Sequence, residues 1–167
     1  MKQWFALYTQ PRKEKVLDAE FKKRGIESFL PLKKSLRQWK DRKKLIEVPL
    51  FSSYVFVREE ATNLYGVLQI PGCVRFIFFD GKPVPIPDYQ IESVRILLEQ
   101  EVEFELKSAN AKVGDRVKIR EGRFSGLCGV IKHEQNKTKF SIVIDALQVD
   151  MSIIVDKSEV QLVETIK

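Results

Sequence analysis

Cysteine and histidine are scarce in this chain. Its 167 residues include two cysteines, Cys73 and Cys128, and a single histidine, His133. The cysteines form no Cys-x-x-Cys or other ligand spacing and fall in different halves of the chain, so we expect buried, unreactive thiols. His133 lies in a polar stretch beside a predicted turn, where a solvated side chain is expected. The sequence therefore predicts no metal site and no cofactor.

Long hydrophobic runs and catalytic motifs are also lacking. No apolar run approaches the roughly 20 residues of a membrane helix. The N-terminal residues lack the apolar core and small-residue cleavage site of a secretory signal, which predicts a cytoplasmic protein without membrane contact. There is no nucleophile elbow, Walker A loop or His-Glu-x-x-His sequence. We therefore predict that the protein is not an enzyme.

Positive charge is concentrated near the N-terminus. Residues 1–58 carry a net charge of +9, residues 59–110 carry −5 and the remainder carries +2, which together give the overall +6. Such a local excess predicts a surface that faces a polyanion such as a nucleic acid. A solvated face that only keeps the protein soluble is the alternative.

The first hundred residues predict a mixture of strands and helices. Residues 3–9 are apolar and aromatic enough for a strand buried on both faces, and residues 11–25 then predict a helix that begins at Pro11. Residues 26–32 return as a strand. In residues 53–57 the alternation puts Tyr54 and Phe56 on one face of a strand. A helix over residues 88–100 completes this part.

A basic segment interrupts this region. Residues 33–44 hold seven Lys and Arg residues around a single aromatic, Trp39. Residues 39–42 predict a hairpin tip between two strands. A basic hairpin with an aromatic could contact phosphates and stack on an unpaired base; the alternative is an exposed loop whose tryptophan packs back on the sheet.

The C-terminal part predicts a small all-β unit. Residues 101–111 are polar and show no packing pattern, which predicts a linker, and five short strand candidates follow in 57 residues. Residues 113–131 are the most informative, because alternating apolar and charged residues precede a turn with Gly122 and Gly126. Gly129 then predicts a bulge or a close backbone approach in the next strand.

Four segments in this order resemble the NusG/RfaH family of transcription elongation factors over essentially the whole chain. The segments are residues 4–8, 49–57, 71–76 and the glycine-rich segment 113–131, which resembles a KOW motif. The resemblance implies an α+β fold in which residues 1–100 form an NGN domain, an antiparallel sheet flanked by helices. Residues 101–111 would be the linker, and residues 112–167 an SH3-like KOW barrel.

The resemblance also implies a binding function. In that family an apolar pocket of the NGN domain grips the clamp coiled coil of the largest RNA polymerase subunit, and the opposite side of the domain, here residues 61–65, faces the polymerase lobe. Holding both sides keeps the clamp closed and suppresses pausing or termination. By position, the pocket residues implied here are Tyr8, Leu50, Phe51, Tyr54 and Phe56.

Contact with the non-template DNA strand of the transcription bubble is implied as well. Family members use the start of the first helix, which here contains Gln10, Arg12 and Lys13. The basic hairpin is a second candidate for contact with upstream DNA. Its candidate residues are Arg37, Trp39, Lys40 and Arg42.

The finer affiliation is predicted from two short segments, residues 9–15 and 37–39, which look most like the UpxY-type antiterminators of polysaccharide operons. A general housekeeping factor and a KOW-type RNA- or ribosome-binding protein are the alternatives. In housekeeping relatives the barrel docks a ribosomal protein or Rho through a loop aromatic, and Leu147 occupies that position here. A monomer is expected.

Overall fold

A computed structural model of the chain describes residues 1–108, 116–134, 137–155 and 163–165. Its residues group by packing into two compact units, Met1–Pro85 and Ile86–Lys167. The described helices and strands confirm the predicted α+β fold class.

The first unit contains two α-helices, one 3-10 helix and a series of strands. In chain order they are β1 (Gln3–Thr9), α1 (Glu14–Lys23), β2 (Glu27–Phe29), β3 (Leu32–Gln38), β4 (Lys43–Pro49), β5 (Tyr54–Glu59), the 3-10 helix (Ala61–Asn63), α2 (Leu64–Leu68), β6 (Cys73–Phe76), β7 (Phe78–Phe79), β8 (Lys82–Pro83) and, at its end, β9 (Pro85–Ile86).

The central sheet of this unit has the order β2-β5-β1-β6. Strand β5 is antiparallel to both β1 and β2, so β1 and β2 are parallel to each other with β5 between them. Strand β6 is antiparallel to β1. The predicted antiparallel sheet with helices beside it is therefore confirmed.

The two faces of this sheet carry different residues. Phe5 and Leu7 point to the face that packs on Leu17 and Phe21 of α1 and on the apolar side of α2. Because side chains alternate along a strand, Tyr8 and its neighbours Trp4 and Ala6 lie on the opposite face. That face is the one expected to carry the aromatic pocket.

Helix α1 begins later than the sequence predicted. The predicted helix starts at Pro11, but the helix begins at Glu14, after Arg12 in the left-handed region at φ 63°. A left-handed residue cannot continue a right-handed helix, so the preceding residues form a turn instead. The consequence is that Gln10, Arg12 and Lys13 lie on a turn before the helix.

The basic segment forms the predicted hairpin. Strands β3 and β4 pair in register from Leu32 opposite Pro49 to Gln38 opposite Lys43, and residues 39–42 form its tip. The amide of Trp39 donates a hydrogen bond to the carbonyl oxygen of Arg42 over 2.7 Å and closes the tip. The predicted strand over residues 26–32 is divided between β2 and β3.

In its described residues the second unit combines one α-helix and one 3-10 helix with a six-stranded antiparallel sheet in the order β10-β14-β13-β12-β11-β15. Its elements are α3 (Asp88–Glu99), β10 (Glu105–Ser108), β11 (Arg116–Ile119), β12 (Cys128–Glu134), β13 (Lys137–Ile144), a 3-10 helix (Asp145–Leu147), β14 (Val149–Val155) and β15 (Val163–Thr165).

Part of the predicted linker is a strand. Residues 105–108 form β10, which pairs with Val149–Ser152 of β14. Backbone hydrogen bonds to a neighbouring strand need no apolar pattern, so this strand had no signal in the sequence. The rest of the predicted linker after residue 108 lies outside the described residues.

The glycine-rich segment has the predicted hairpin, apart from residues 113–115, which lie outside the described residues. Strand β11 ends at Ile119, and β12 begins after the turn with Gly122 at φ 87° and Gly126 at φ 90°. At Gly129 an added Cβ would be 2.6 Å from the ring of Phe140 and closer still to the carbonyl oxygen of Ser141. The predicted close backbone approach at this glycine is confirmed.

Helix α3 groups by packing with the second unit. The hydroxyl of Ser93 donates to the carbonyl oxygen of Cys128 over 3.2 Å and accepts from the amide of the same residue over 3.0 Å. The side-chain amide of Gln90 (Nε2) donates to Asp145 Oδ2 over 2.9 Å. Assignment of this helix to the N-terminal domain, with a boundary at residue 100, stays a prediction.

Candidate functional site

A row of three side chains crosses three strands on the face of the first sheet that is turned away from α1 and α2. Tyr8 pairs with Tyr54 on one side and with Arg75 on the other. The two tyrosine rings meet edge to face at 5.5 Å between centroids, and the Arg75 guanidinium carbon lies 5.6 Å from the Tyr8 ring centroid. Both tyrosines are half-buried and Arg75 is exposed. This row presents aromatic edges beside a positive charge.

A buried aromatic layer adjoins the row. The Phe56 ring, which has no exposed surface, meets the Phe51 ring edge to face at 5.9 Å and stacks near Phe29 at 6.1 Å. Leu50 and Phe51 are each only 7% exposed. The five residues predicted to form a pocket therefore divide into an accessible pair, Tyr8 and Tyr54, and three supporting residues.

Three hydrogen bonds fix the turn between Phe51 and Tyr54. The amide of Tyr54 donates to the carbonyl oxygen of Phe51 over 3.2 Å. Ser53, at φ 64°, accepts from the Thr9 amide over 2.8 Å and donates its own amide proton to Glu14 Oε1 over 2.7 Å. Glu14 is 6% exposed. A buried carboxylate at the start of α1 thus joins the helix to this turn.

The turn before α1 is exposed and basic. The side chains of Gln10, Arg12 and Lys13 all point to solvent. The Gln10 amide donates to the carbonyl oxygen of Gly72 over 2.9 Å, and the Lys13 amide donates to the Gln10 carbonyl oxygen over 3.2 Å. These backbone bonds fix the turn while its side chains remain available to a ligand.

The two faces of the basic hairpin differ in charge. Residues directly opposite each other share a face, so Arg37 and Lys44 lie side by side on one face. On the other face Leu36 lies opposite Leu45, and both are exposed. Within β3 and β4 the Arg37 face has no acidic residue, whereas the other face contains Glu47. Two like charges directly opposite each other are unfavourable in isolation and favourable beside an anion.

The tip of the hairpin carries the remaining candidates. Trp39 is 58% exposed, so it does not pack back on the sheet, and Lys40 and Arg42 are exposed as well. An exposed aromatic ring beside positive charge is a feature of surfaces that bind single-stranded nucleic acid. The candidates of the hairpin and those of the turn before α1 lie on separate elements.

The loop predicted to contact a partner of the second unit is a short 3-10 helix, Asp145–Leu147. Leu147 is half-buried at its end and is followed by Gln148 in the left-handed region at φ 52°. The Gln148 side chain donates to the carbonyl oxygen of Asp145 over 2.6 Å. Hydrogen bonds from the side chains of Gln148 and Gln90 therefore stabilise the loop at Asp145.

Both thiols are free, and the predicted burial is found for Cys128 but only in part for Cys73. Cys73 is half-buried and Cys128 is buried. Burial raises the pKa of the Cys73 thiol to about 11, and burial also raises the pKa of Cys128 although Lys118 and Arg116 act against it. Both remain protonated at neutral pH. Among the residues that the structure describes, no three His, Cys, Asp or Glu side chains are arranged to hold a metal ion; the His133 side chain lies outside this description.

No helix within the described ranges is both long enough and apolar enough to span a lipid bilayer.

A family model described as "NusG: Transcription termination factor nusG" matches residues 2–95. The match covers more than half of the chain and includes the aromatic row, the turn before α1 and the basic hairpin. The chain belongs to the NusG family. This confirms the predicted membership of a transcription factor family; the UpxY-type affiliation stays a prediction.

Solved structures similar to this NusG-family chain span it almost completely. One, described as "Domain interaction in Thermotoga maritima NusG", is 24% identical, covers 100% of this chain and 98% of its own, and has a TM-score of 0.49. Two conformations, A and B, of a complex described as MjSpt4:Spt5 are 16% and 18% identical, with TM-scores of 0.29 and 0.28. Each covers 98% of this chain and at least 97% of the matched chain.

Two residues of the candidate site in this NusG-family chain were not predicted from the sequence. Arg75 lies in a segment that supported the resemblance, but only the register of β6 against β1 shows that it adjoins Tyr8. Glu14 resembles an ordinary acidic residue in the first turn of a helix, which is favoured by the helix dipole. Its bond to Ser53 links residues 39 positions apart and leaves no local signal in the sequence.

Proposed function

We propose that this NusG-family protein binds RNA polymerase through the row of Tyr54, Tyr8 and Arg75 on its N-terminal sheet. The observation that carries the proposal is the pair of half-buried tyrosine rings beside an exposed arginine. Tyrosine and arginine are among the residue types enriched at the energetic centres of interfaces. The proposed partner segment is the clamp coiled coil of the largest polymerase subunit.

The buried layer supports this binding without itself forming the contact. Phe51 and Phe56 pack on each other and fix the strand from which Tyr54 projects. The Tyr54 side chain, which projects from this fixed strand, therefore loses little conformational entropy when a partner docks, and this favours affinity. Leu50 and Phe51 act mainly by maintaining the surface, and Phe56 acts only in this way.

The proposed action is mechanical, and the protein is not an enzyme. A factor that touches both the clamp and the opposite lobe binds the closed polymerase more tightly than the open one, so it shifts the population toward the closed state. Residues 61–65 are the proposed lobe contact; Ala61, Thr62, Asn63 and Tyr65 are exposed there. Pauses and termination events that require clamp opening then become rarer.

The test is transcription elongation with purified polymerase on a pause-containing template. Saturating protein is expected to shorten or remove pauses, and Tyr54→Ala is expected to lose the effect together with polymerase capture. Phe79→Ala, which removes an exposed ring of the β7–β8 hairpin, is the matched control and is expected to behave as wild type. Unaltered pausing with the wild-type protein at saturation would overturn the proposal.

We also propose that the turn with Gln10, Arg12 and Lys13 contacts the non-template DNA strand. The exposed cations add binding affinity that depends on the salt concentration and not on the base sequence of the DNA. The fixed backbone of the turn supports this, because the side chains extend from a preorganised position.

The basic hairpin is proposed as a second DNA contact, on upstream duplex. Its Arg37 and Lys44 lie side by side on a face that also carries Lys33 and is suited to backbone phosphates, and Lys40 and Arg42 extend this charge toward the tip. Trp39 at the tip is placed to stack where the duplex opens.

The second unit is proposed to dock a ribosomal protein or Rho through the loop with Leu147. Arg116 and Lys118 are exposed on β11, and this observation favours direct binding of RNA as the second candidate function. If Leu147→Ala loses binding to the ribosomal protein or to Rho, docking of a protein is supported. If RNA binding is lost, and only in Arg116→Ala with Lys118→Ala, direct binding of RNA is supported.

The protein is proposed to act at particular operons of the polysaccharide type, as a cytoplasmic monomer. Occupancy mapping across transcribed genes separates this role from that of a general factor. Binding confined to one operon supports the specialised role, and binding at all transcribed genes supports the housekeeping alternative.

A further inference from the structure

Ser53 has an unfavourable backbone conformation at a central position. Its φ of 64° lies in the left-handed region, which a residue with a Cβ atom adopts at a cost. It directly precedes Tyr54, so the conformation of Ser53 sets the direction in which β5 begins. Such a conformation persists when its surroundings hold it in place.

Glu14 provides a hydrogen-bond partner that holds Ser53 in this conformation. Its Oε1 accepts the Ser53 amide proton over 2.7 Å, while the Ser53 carbonyl oxygen accepts from the Thr9 amide over 2.8 Å. Both polar groups of the Ser53 backbone are therefore bonded to the segment that runs from β1 into α1. Without the carboxylate, the partly buried amide of Ser53 would lose the acceptor that the fold gives it.

The same carboxylate lies next to the basic turn. Glu14 directly follows Lys13, and the Gln10 amide is bonded to the Gly72 carbonyl oxygen in the adjacent loop. A movement of the start of α1 therefore changes the position of Lys13 and of the Phe51–Tyr54 turn together. The Glu14 side chain joins these two regions through its hydrogen bond with Ser53.

We infer that Glu14 is a positioning residue that holds the Phe51–Tyr54 turn and thereby fixes the aromatic row relative to the basic turn before α1. It contacts neither ligand in this inference. The inferred effect on binding rests on the proposed function, whereas the effect on the turn does not.

The first experiment measures the turn itself by hydrogen exchange of the Ser53 amide in the purified full-length protein. Protection is expected to fall at least about tenfold in Glu14→Ala, because its acceptor is gone, and to persist in Glu14→Gln, whose carbonyl oxygen can still accept. Glu20→Ala removes a carboxylate from the same helix and is the control. The Glu20 carboxylate accepts a hydrogen bond from Arg24 instead of from the Phe51–Tyr54 turn. Unchanged protection in Glu14→Ala would overturn the inference.

The second experiment measures binding to polymerase and, separately, to a single-stranded bubble in the same variants. Glu14→Ala is expected to weaken each by about tenfold, the equivalent of one displaced hydrogen bond, while Glu14→Gln stays within about twofold of wild type. Adding Ser53→Gly to Glu14→Ala is expected to restore part of the polymerase affinity, because glycine adopts the left-handed conformation without a Cβ penalty.

These outcomes separate the two claims. Failure of the wild-type protein to bind polymerase overturns the proposed function, and the exchange measurement still decides whether Glu14 holds the turn. If Glu14→Gln loses both protection and binding as fully as Glu14→Ala, charge and not the hydrogen bond is responsible, and the inference is wrong.

Discussion

Tyr8 and Tyr54 are direct partners on neighbouring antiparallel strands, and their rings meet edge to face at 5.5 Å between centroids. They are the accessible members of the predicted aromatic set, since Phe56 has no exposed surface. The proposed polymerase interface therefore depends on a ring pair whose geometry is set by strand register.

Truncation of the two tyrosines is expected to show coupled losses. Tyr8→Ala and Tyr54→Ala should each weaken polymerase binding by about 1–2 kcal/mol, or roughly tenfold, because each removes an aromatic anchor. The double variant should lose less than the sum by about 0.5–1.5 kcal/mol, the energy of the ring pair. Titration of labelled protein with polymerase measures this. Strictly additive losses, or wild-type binding in both single variants, would contradict the pairing.

Removal of the cations before α1 is expected to change the salt dependence of bubble binding. In Arg12→Ala with Lys13→Ala, the slope of log affinity against log salt should decrease in magnitude by about 1.4, as two phosphate contacts on a single strand are lost. Lys22→Ala with Lys23→Ala removes the same charge from the other end of α1 and is the control. An equal change of slope in both pairs would indicate a general charge effect.

The hairpin is expected to bind duplex DNA with one face. Arg37→Ala with Lys44→Ala should reduce the slope by about 1.8 on duplex DNA, the value for two phosphates. Lys34→Ala with Lys43→Ala removes two cations from the opposite face. Fluorescence anisotropy at several salt concentrations compares the two pairs of substitutions. A larger change of slope in the second pair would show that DNA binds the opposite face of the hairpin, and the prediction would be wrong.

Replacement of Gly129 by alanine is expected to destabilise the second unit by about 2–4 kcal/mol, because the new Cβ would overlap the Ser141 backbone and the Phe140 ring. Gly66→Ala is the control, since its Cβ meets open space in a helix and should be neutral or slightly stabilising. Amide exchange in β12 and β13 reports the change. Equal amide exchange in Gly129→Ala and wild type would mean that the neighbouring atoms of Phe140 and Ser141 move aside at little cost in free energy, and the prediction would be wrong.

Cys73 is expected to make stability fall at alkaline pH. Burial raises its pKa to about 11, so between an ordinary thiol pKa near 9 and about 11 the unfolded chain loses this proton while the folded protein retains it. The unfolded state is then favoured as pH rises, by on the order of 1 kcal/mol after allowing for partial solvent exposure. Denaturant unfolding from pH 8 to 11 measures the slope. Cys73→Ser should flatten it, and parallel curves for the two proteins would contradict the assignment.

Local pattern was sufficient for much of the fold. Strand β1 was predicted with its observed bounds, because its apolar run is uninterrupted, and the hairpin tip at residues 39–42 was predicted from its polar, basic composition. The predicted start of α1 was wrong because Arg12 lies in the left-handed region, a conformation that a residue other than glycine seldom adopts and that its own sequence does not signal. Strand β10 was missed since its pairing is a property of β14 and not of its own residues.

The candidate site also has some features that were predicted from the sequence and others that depend on contacts between distant segments. Tyr8 and Tyr54 were predicted from motifs, but their exposure and the burial of Phe56 depend on which elements pack against each face of the sheet. Arg75 and Glu14 joined the site only through contacts between segments far apart in the chain.

The amino-acid sequence by itself determined the family, the alternation that divides the aromatic strands into two faces, and the concentration of positive charge in the first 58 residues. The first depends on the order of short motifs along the chain, and the other two depend on residue types counted along it, so none of them needs a contact between distant residues. Tertiary structure alone decided which rings reach solvent, which cation adjoins Tyr8, and that a buried carboxylate holds the turn before Tyr54. Those features arise where residues distant in sequence are brought within hydrogen-bonding or van der Waals distance, and no local pattern encodes such a distance.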